Sequence, residues 1–154
     1  MKIYLSYFYQ VRFMKPYMIP VSTCYFDPAW FTDETGKIYK DKNGVYNGIR
    51  CDEFLPPPLD ENDAICPCKD KNSQDCRFLK GYADALLNVD FNAFMDWMRR
   101  LAAYVQEKEK FAEEPIIILL VYEALNNPCS ERGPLIDWFA KNNYELKNWD
   151  KTMV

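Results

Sequence analysis

The sequence predicts a small single-domain α/β fold: a three-layer sandwich around a mostly parallel central sheet, with a Cys-rich loop insertion at residues 51–76. Three observations carry this. Ile116 to Tyr122 is an unbroken apolar run, the pattern of a strand buried on both faces. Strand-like and helix-like segments are interspersed along the chain and not sorted into blocks. The length of 154 residues, with 49% apolar and 27% charged, suits one domain with its own core, so residues 1–154 read as one unit.

Lys2 to Tyr7 alternates and is rich in aromatic and β-branched residues, which predicts an opening strand. Tyr17 to Ser22 predicts a second. Its Pro20 lacks an N–H donor and so belongs on a sheet edge or at a strand end. Between Thr32 and Gly48, Gly36, Asn43-Gly44 and Asn47-Gly48 punctuate short β-forming stretches. That is hairpin chemistry, with Asn43-Gly44 the best two-residue turn. Phe54 to Ser73 turns to Pro, Asp, Asn, Lys and Cys, and reads as a long loop.

Two helices follow. Asp75 is placed to cap one with Phe78, Leu79, Tyr82 and Leu86 on its apolar face. Asp90 is placed to cap the other, where Phe91, Phe94, Met95, Met98, Leu101, Ala102 and Val105 recur at helical spacing. After the central strand, Pro134 marks the first turn of a third helix with Leu135, Ile136, Trp138 and Phe139 inward. Tyr144 to Trp149 alternates as a closing edge strand. Helices are expected on both faces of the central strand.

Composition narrows the chemistry. There is no histidine, which excludes an imidazole acid/base, a His-based triad and a zinc–His site. A net charge of −4 gives no global attraction to nucleic acid or anionic lipid. Pro115 to Tyr122 is too short to cross a bilayer, and Met1 to Phe8 lacks the apolar core of a signal peptide. A cytoplasmic protein with no membrane partner is expected.

The most informative stretch runs from Ile118 to Leu135. A buried strand delivers Glu123 at its carboxyl end, and a turn sets Cys129 and Arg132 ahead of a helix. Ligands of open α/β sheets bind outside the carboxyl ends of strands, and helix N-termini favour anions. Glu123, Cys129 and Arg132 are therefore candidate catalytic residues. Glu123 is a general acid/base, Cys129 a nucleophile or polar contact, and Arg132 the grip on a phosphate or carboxylate. The competing reading is a Glu123–Arg132 ion pair that pins the turn, with Cys129 packed as a small hydrophobe. A Cys-phosphatase is disfavoured, because only two residues separate Cys129 from Arg132 and neither is glycine. Ser6, Tyr7, Ser22 and Thr23, at the ends of neighbouring strands, are candidate ligand-binding residues or simple turn caps.

The chain resembles the domain of unknown function 488 family. Ile3-Tyr4-Leu5-Ser6-Tyr7-Phe8 matches its opening strand, and Pro20-Val21-Ser22 with Pro28-Ala29-Trp30 matches its second strand and Pro-Trp pair. Leu119-Leu120-Val121-Tyr122-Glu123, then Cys129-Ser130-Glu131-Arg132, is similar to its late Leu-Leu-Cys-Tyr-Glu and Cys-His-Arg signature. Val121 stands where the family has Cys, and Ser130-Glu131 replaces its His and lengthens the spacing to Arg132. The resemblance implies a small α/β fold and brings no activity with it. If the family's chemistry uses that imidazole, Glu131 is the substitute here.

Cys51, Cys66, Cys68 and Cys76 fall in one loop-rich segment and are candidate ligands of a structural zinc. Against this, Cys66-Pro67-Cys68 leaves one intervening residue where zinc knuckles leave two to four. The alternative is a set of reduced, unrelated thiols. Three functions stay open. The first is a strand-end pocket for an anionic small molecule or nucleotide, including an enzyme of that kind. The second is a zinc-stabilised module that docks a protein partner. The third is a nucleic-acid accessory protein, using the mild basic face of Arg99, Arg100, Lys108 and Lys110.

Overall fold

Two strand exits that leave on opposite sides of a parallel sheet define the architecture. The computed structural model describes residues 1–24, 26–52, 77–124, 126–127 and 130–153. Its strands are β1 (Lys2–Tyr7), β2 (Met18–Ser22), β3 (Tyr39–Lys40), β4 (Tyr46–Asn47), β5 (Ile116–Val121) and β6 (Lys147–Asn148). Its α-helices are α1 (Arg77–Leu86), α2 (Phe91–Glu109) and α3 (Arg132–Lys141). β2, β5, β1 and β6 form a four-stranded sheet in that order, every pairing parallel, while β3 and β4 make a separate antiparallel pair.

The buried run forms β5, between β1 and β2, with Ile117 through Val121 fully enclosed. Pro20 sits in β2 at the end of the strand order. Tyr17 O and Thr23 N bond toward β5, whereas Ser22 N bonds outward to Ile49 O. Pro20 shares the parity of Ser22, so its missing N–H falls on the outer side and costs no ladder bond.

Odd and even strand residues enter different cores. Ile3, Leu5, Ile19, Val21, Ile117 and Leu119 pack with Leu86, Phe94, Met98, Leu135 and Phe139 of the three helices. Ile118 and Leu120 pack instead with Phe8, Val11, Phe31 and Val45. That second layer differs from the expectation of helices on both faces. A 3₁₀ helix (Phe8–Phe13) and the chain around Phe31 and Val45 cover it, and the described α-helices all lie on the other side.

Local chemistry sets the element ends. Asp90 caps α2 by accepting from Ala93 N at 3.1 Å, and Lys110 closes it in the left-handed region at φ 56°. The hairpin connection is longer than the Asn43-Gly44 turn. Asp41 N donates to Val45 O, and the Asp41 carboxylate accepts from Asn43 N and Val45 N, with Gly44 at φ 78°. Helix α3 starts two residues before Pro134, which still lies in the first turn where no N–H is required. The closing strand shortens to Lys147–Asn148 because the chain first folds back: Tyr144 N donates to Phe139 O, and Tyr144 Oη accepts from Ile3 N. Asp75, Phe54 to Ser73, Cys66, Cys68, Cys76 and Cys129 lie outside the described residues. No described helix is long and apolar enough to cross a membrane.

Candidate functional site

The register pairs Tyr7 with Val121 and Ser22 with Leu120, so the carboxyl ends of β1, β5 and β2 emerge side by side. From β1 the chain turns onto the face covered by the 3₁₀ helix, and from β5 it turns onto the face covered by α3. Adjacent strands whose exits diverge to opposite faces open a crevice between them, and this is the topological switch point where α/β folds place ligands.

Glu123, Glu131 and Arg132 come together there. Glu131 directly precedes α3, and Ser130 Oγ accepts from Arg132 N at 2.9 Å, which fixes the start of the helix. The Glu131 carboxyl lies close enough to that of Glu123 for each to act on the other, and one oxygen of each is buried. Two carboxyls so placed cannot both ionise cheaply, so they share a proton. Burial, then the charge of Glu123, pushes Glu131 up to about 7, and burial also raises Glu123. Glu131 is 9% exposed and, as the more deeply buried of the two, holds the proton, whereas Glu123 is half-buried just after β5.

Arg132 departs from its expected role. Nη1 donates to Ala124 O at 3.1 Å and Nη2 to Glu123 O at 3.0 Å, so both ends of the guanidinium hold the turn that leaves β5. Arg132 is 7% exposed, and its burial lowers its pKa. Among the described residues, Arg132 Nε, Glu123 Oε2 and Glu131 Oε2 are buried without a hydrogen-bond partner.

Cys24, from the exit of β2, lies among the same groups. Burial raises its thiol far above the ordinary range, and the charges of Glu131, Glu123 and Asp27 raise it further. It is a neutral thiol pointing at Leu120 O, not a nucleophile. Asp27 is held by Ser22 Oγ, by Thr32 Oγ1 at 2.6 Å and by Arg50 Nη1 at 2.5 Å, and Arg50 also binds Asp52. That closed network ties the loop after β2 to the segment beside it.

The remaining sequence candidates divide. Tyr7 is half-buried at the end of β1, and its hydroxyl accepts from Gln10 Nε2 at 3.1 Å. Ser6 Oγ donates to Trp149 O and Thr23 Oγ1 to Leu120 O, both at 2.7 Å in buried surroundings. Ser22 donates to Asp27. These three hydroxyls are engaged inside the protein. Cys51 is 1% exposed in the α-side core, its thiol 3.3 Å from Ser22 O and pushed up to about 12 by burial. No group of three or more metal-ligating side chains forms among the described residues. Sequence reasoning missed Cys24, Asp27 and Arg50, and it met Glu131 only as a substitute for a histidine. Nothing local marks these residues, because the parallel register brings them together.

No family model, curated protein or solved structure matches the chain.

Proposed function

We propose that this protein is a small-molecule enzyme whose strand-end crevice performs acid–base chemistry with the Glu123–Glu131 pair. The close approach of two carboxyls, each with a buried oxygen, where β5 leaves the sheet and α3 begins carries the reading. Glu123, half-buried, meets the ligand. Glu131, behind it, is a positioning residue that keeps the shared proton. A pair holding one proton can take a second from a ligand or give up the first, and the value of about 7 at Glu131 puts loss of the first near neutral pH without histidine.

The charge balance favours a neutral or cationic ligand over an anion. Arg132 has both Nη groups on carbonyls, and Asp27 neutralises Arg50, so neither of the two guanidinium groups described around the site is free to pair with the Glu123 carboxylate. Arg132 keeps the β5–α3 turn in shape, which holds Glu123 at the mouth.

The test is turnover of a panel of uncharged esters, amides, glycosides and nucleosides by the intact protein. The expected result is an activity that Glu123→Gln abolishes and that Glu131→Gln displaces along the pH axis. Absence of turnover, or turnover indifferent to Glu123→Gln, overturns the reading.

A further inference from the structure

Cations gather at the amino end of β2, whereas Glu123 follows the carboxyl end of β5, so the two places lie at opposite ends of the parallel sheet. Met18 of β2 pairs with Ile116, the first residue of β5, and the chain leading into Met18 forms one wall of a cleft of about 320 Å³. Arg12, Phe13, Met14, Lys15 and Pro16 line it from this side, and Asn43 closes it from the β3–β4 connection. The two walls are fixed to each other. Asn43 Nδ2 donates to Arg12 O at 3.1 Å, and Gly44 comes so near Pro16 that a Cβ there would stand 3.2 Å from the proline ring.

Local structure orients both cations. Residues three apart in a 3₁₀ helix stand above one another. Arg12 accordingly lies over the Tyr9 ring, with Cζ 4.0 Å from its centroid, and Nε donates to Tyr9 O at 3.1 Å. That arrangement uses one face and the Nε edge of the guanidinium and leaves its two Nη groups as donors for a ligand. Lys15 opens a tight turn in which Pro16 sets the next φ and Met18 N donates to Lys15 O at 2.8 Å. Among the described residues neither Arg12 nor Lys15 forms an ion pair. The Asp41 carboxylate accepts from Asn43 N, Val45 N and Asn47 Nδ2, and that of Asp150 from Thr152 N. A third cation, Lys151, stands 4.8 Å over the Phe13 ring. In a chain of net charge −4, this is positive charge concentrated around a formed hollow.

We infer that this cleft is a ligand site separate from the carboxyl pair, and that it takes the phosphate group of a phosphate monoester with a small apolar or aromatic body. The planar fork of Arg12 fits two oxygens of a phosphate at once, which an ammonium does not. Lys15 answers the second negative charge and so favours a dianion over a monocarboxylate. Phe13, Met14 and Pro16 give the body of the ester an apolar wall, so the ester gains over inorganic phosphate.

The experiment titrates the full chain with phenyl phosphate, inorganic phosphate and benzoate by calorimetry, at about pH 8, where a phosphate monoester is a dianion. Backbone amide shifts are followed by NMR in parallel. Phenyl phosphate is expected to bind and inorganic phosphate to bind several-fold more weakly. Benzoate should be weaker than phenyl phosphate by about tenfold or more. The amide shifts should centre on residues 12–15 and Asn43. Arg12→Lys should weaken phenyl phosphate about tenfold although the charge is kept, and Lys15→Gln by about the same factor. Lys42→Gln removes an exposed cation beside Asn43 but outside the cleft, and should leave binding as in the parent. All three residues are exposed, so the variants should keep the circular dichroism spectrum. If one does not, the ligand order and the amide shifts on the parent chain decide alone. No binding of phenyl phosphate, binding of benzoate or inorganic phosphate as tight, or an unchanged affinity in Arg12→Lys overturns the inference. Equal losses in Lys42→Gln and Lys15→Gln overturn it as well, because the attraction is then diffuse surface charge. Shifts centred on Tyr122, Glu123 and the start of α3 put the ligand in the strand-end crevice and also overturn it, whereas the acid–base reading stands or falls on turnover.

Discussion

Arg132 holds Glu123 by its backbone and not by its carboxylate: Nη2 donates to the Glu123 carbonyl at 3.0 Å. The ion pair that residue types suggest is replaced by a clamp on the turn, with Nη1 on Ala124 O completing it. The Glu123 side chain is thereby left to the other carboxyl. A guanidinium suits this task because its planar fork presents two donors in fixed geometry to two successive carbonyls.

Arg132→Lys is therefore expected to destabilise the fold. An ammonium reaches one carbonyl and leaves the other buried and unpaired, a loss of about 2 kcal/mol for a charge-assisted hydrogen bond. Urea denaturation at pH 7 measures it. A midpoint equal to that of the parent protein would show that the clamp is dispensable.

The central strand follows from packing in the same direct way. Ile118 and Leu119 are both fully buried but enter different layers, Ile118 against Phe8 and Phe31, Leu119 against the helices. Truncating either to Ala is expected to cost about 3 kcal/mol through lost burial and a residual cavity. A cooperative denaturant transition displaced by that amount in both variants is the expected outcome. A small effect for Ile118→Ala alone would show that the 3₁₀ layer collapses around the gap.

These contrasts explain what the sequence could disclose. β5 was legible because seven consecutive apolar residues leave no polar face, and Asp90 because a cap and a helical stripe are local signals. The 3₁₀ layer was not, because Phe8 to Phe13 has too few residues to show a period and its burial comes from tertiary contact. At the site, Glu123 was legible as the residue after a buried strand. Its pairing with Glu131 was not, because opposite charge is the default expectation and a carboxyl pair exists only through the return of the chain at α3. The same holds for Asp27 and Arg50, 23 positions apart and joined only by the strand edge.

Cys51 separates the packing and metal readings of the cysteines. It sits in the core with its thiol near Ser22 O, so Cys51→Ala should lower stability by about 1 kcal/mol, the cost of a small cavity. On the packing reading, chelator leaves the melting temperature of the parent protein unchanged. If chelator lowers it and Cys51→Ala abolishes that response, Cys51 is a ligand of a metal site with Cys66, Cys68 and Cys76.

The buried carboxyl makes stability fall as pH rises. Glu131 has a folded value of about 7 against an ordinary 4.5, so between those values the folded protein binds more of its proton than the unfolded chain does. Stability from this group is complete below about pH 4.5 and lost as pH passes 7. The difference between pH 5 and pH 8 is on the order of 2–3 kcal/mol. Glu123, raised by burial as well, acts in the same sense. Surface carboxylates such as Asp33 and the half-buried Glu109 are lowered by their hydrogen bonds and act in the opposite sense at acid pH, so the raw curve mixes both. Glu131→Gln separates them, because an amide is neutral as the protonated acid is and does not titrate. Its stability relative to the parent should be nearly equal at pH 5 and higher by about 2 kcal/mol at pH 8. Parallel curves for the two proteins across that range would mean that Glu131 is ionised throughout, and the shared proton would have to be abandoned.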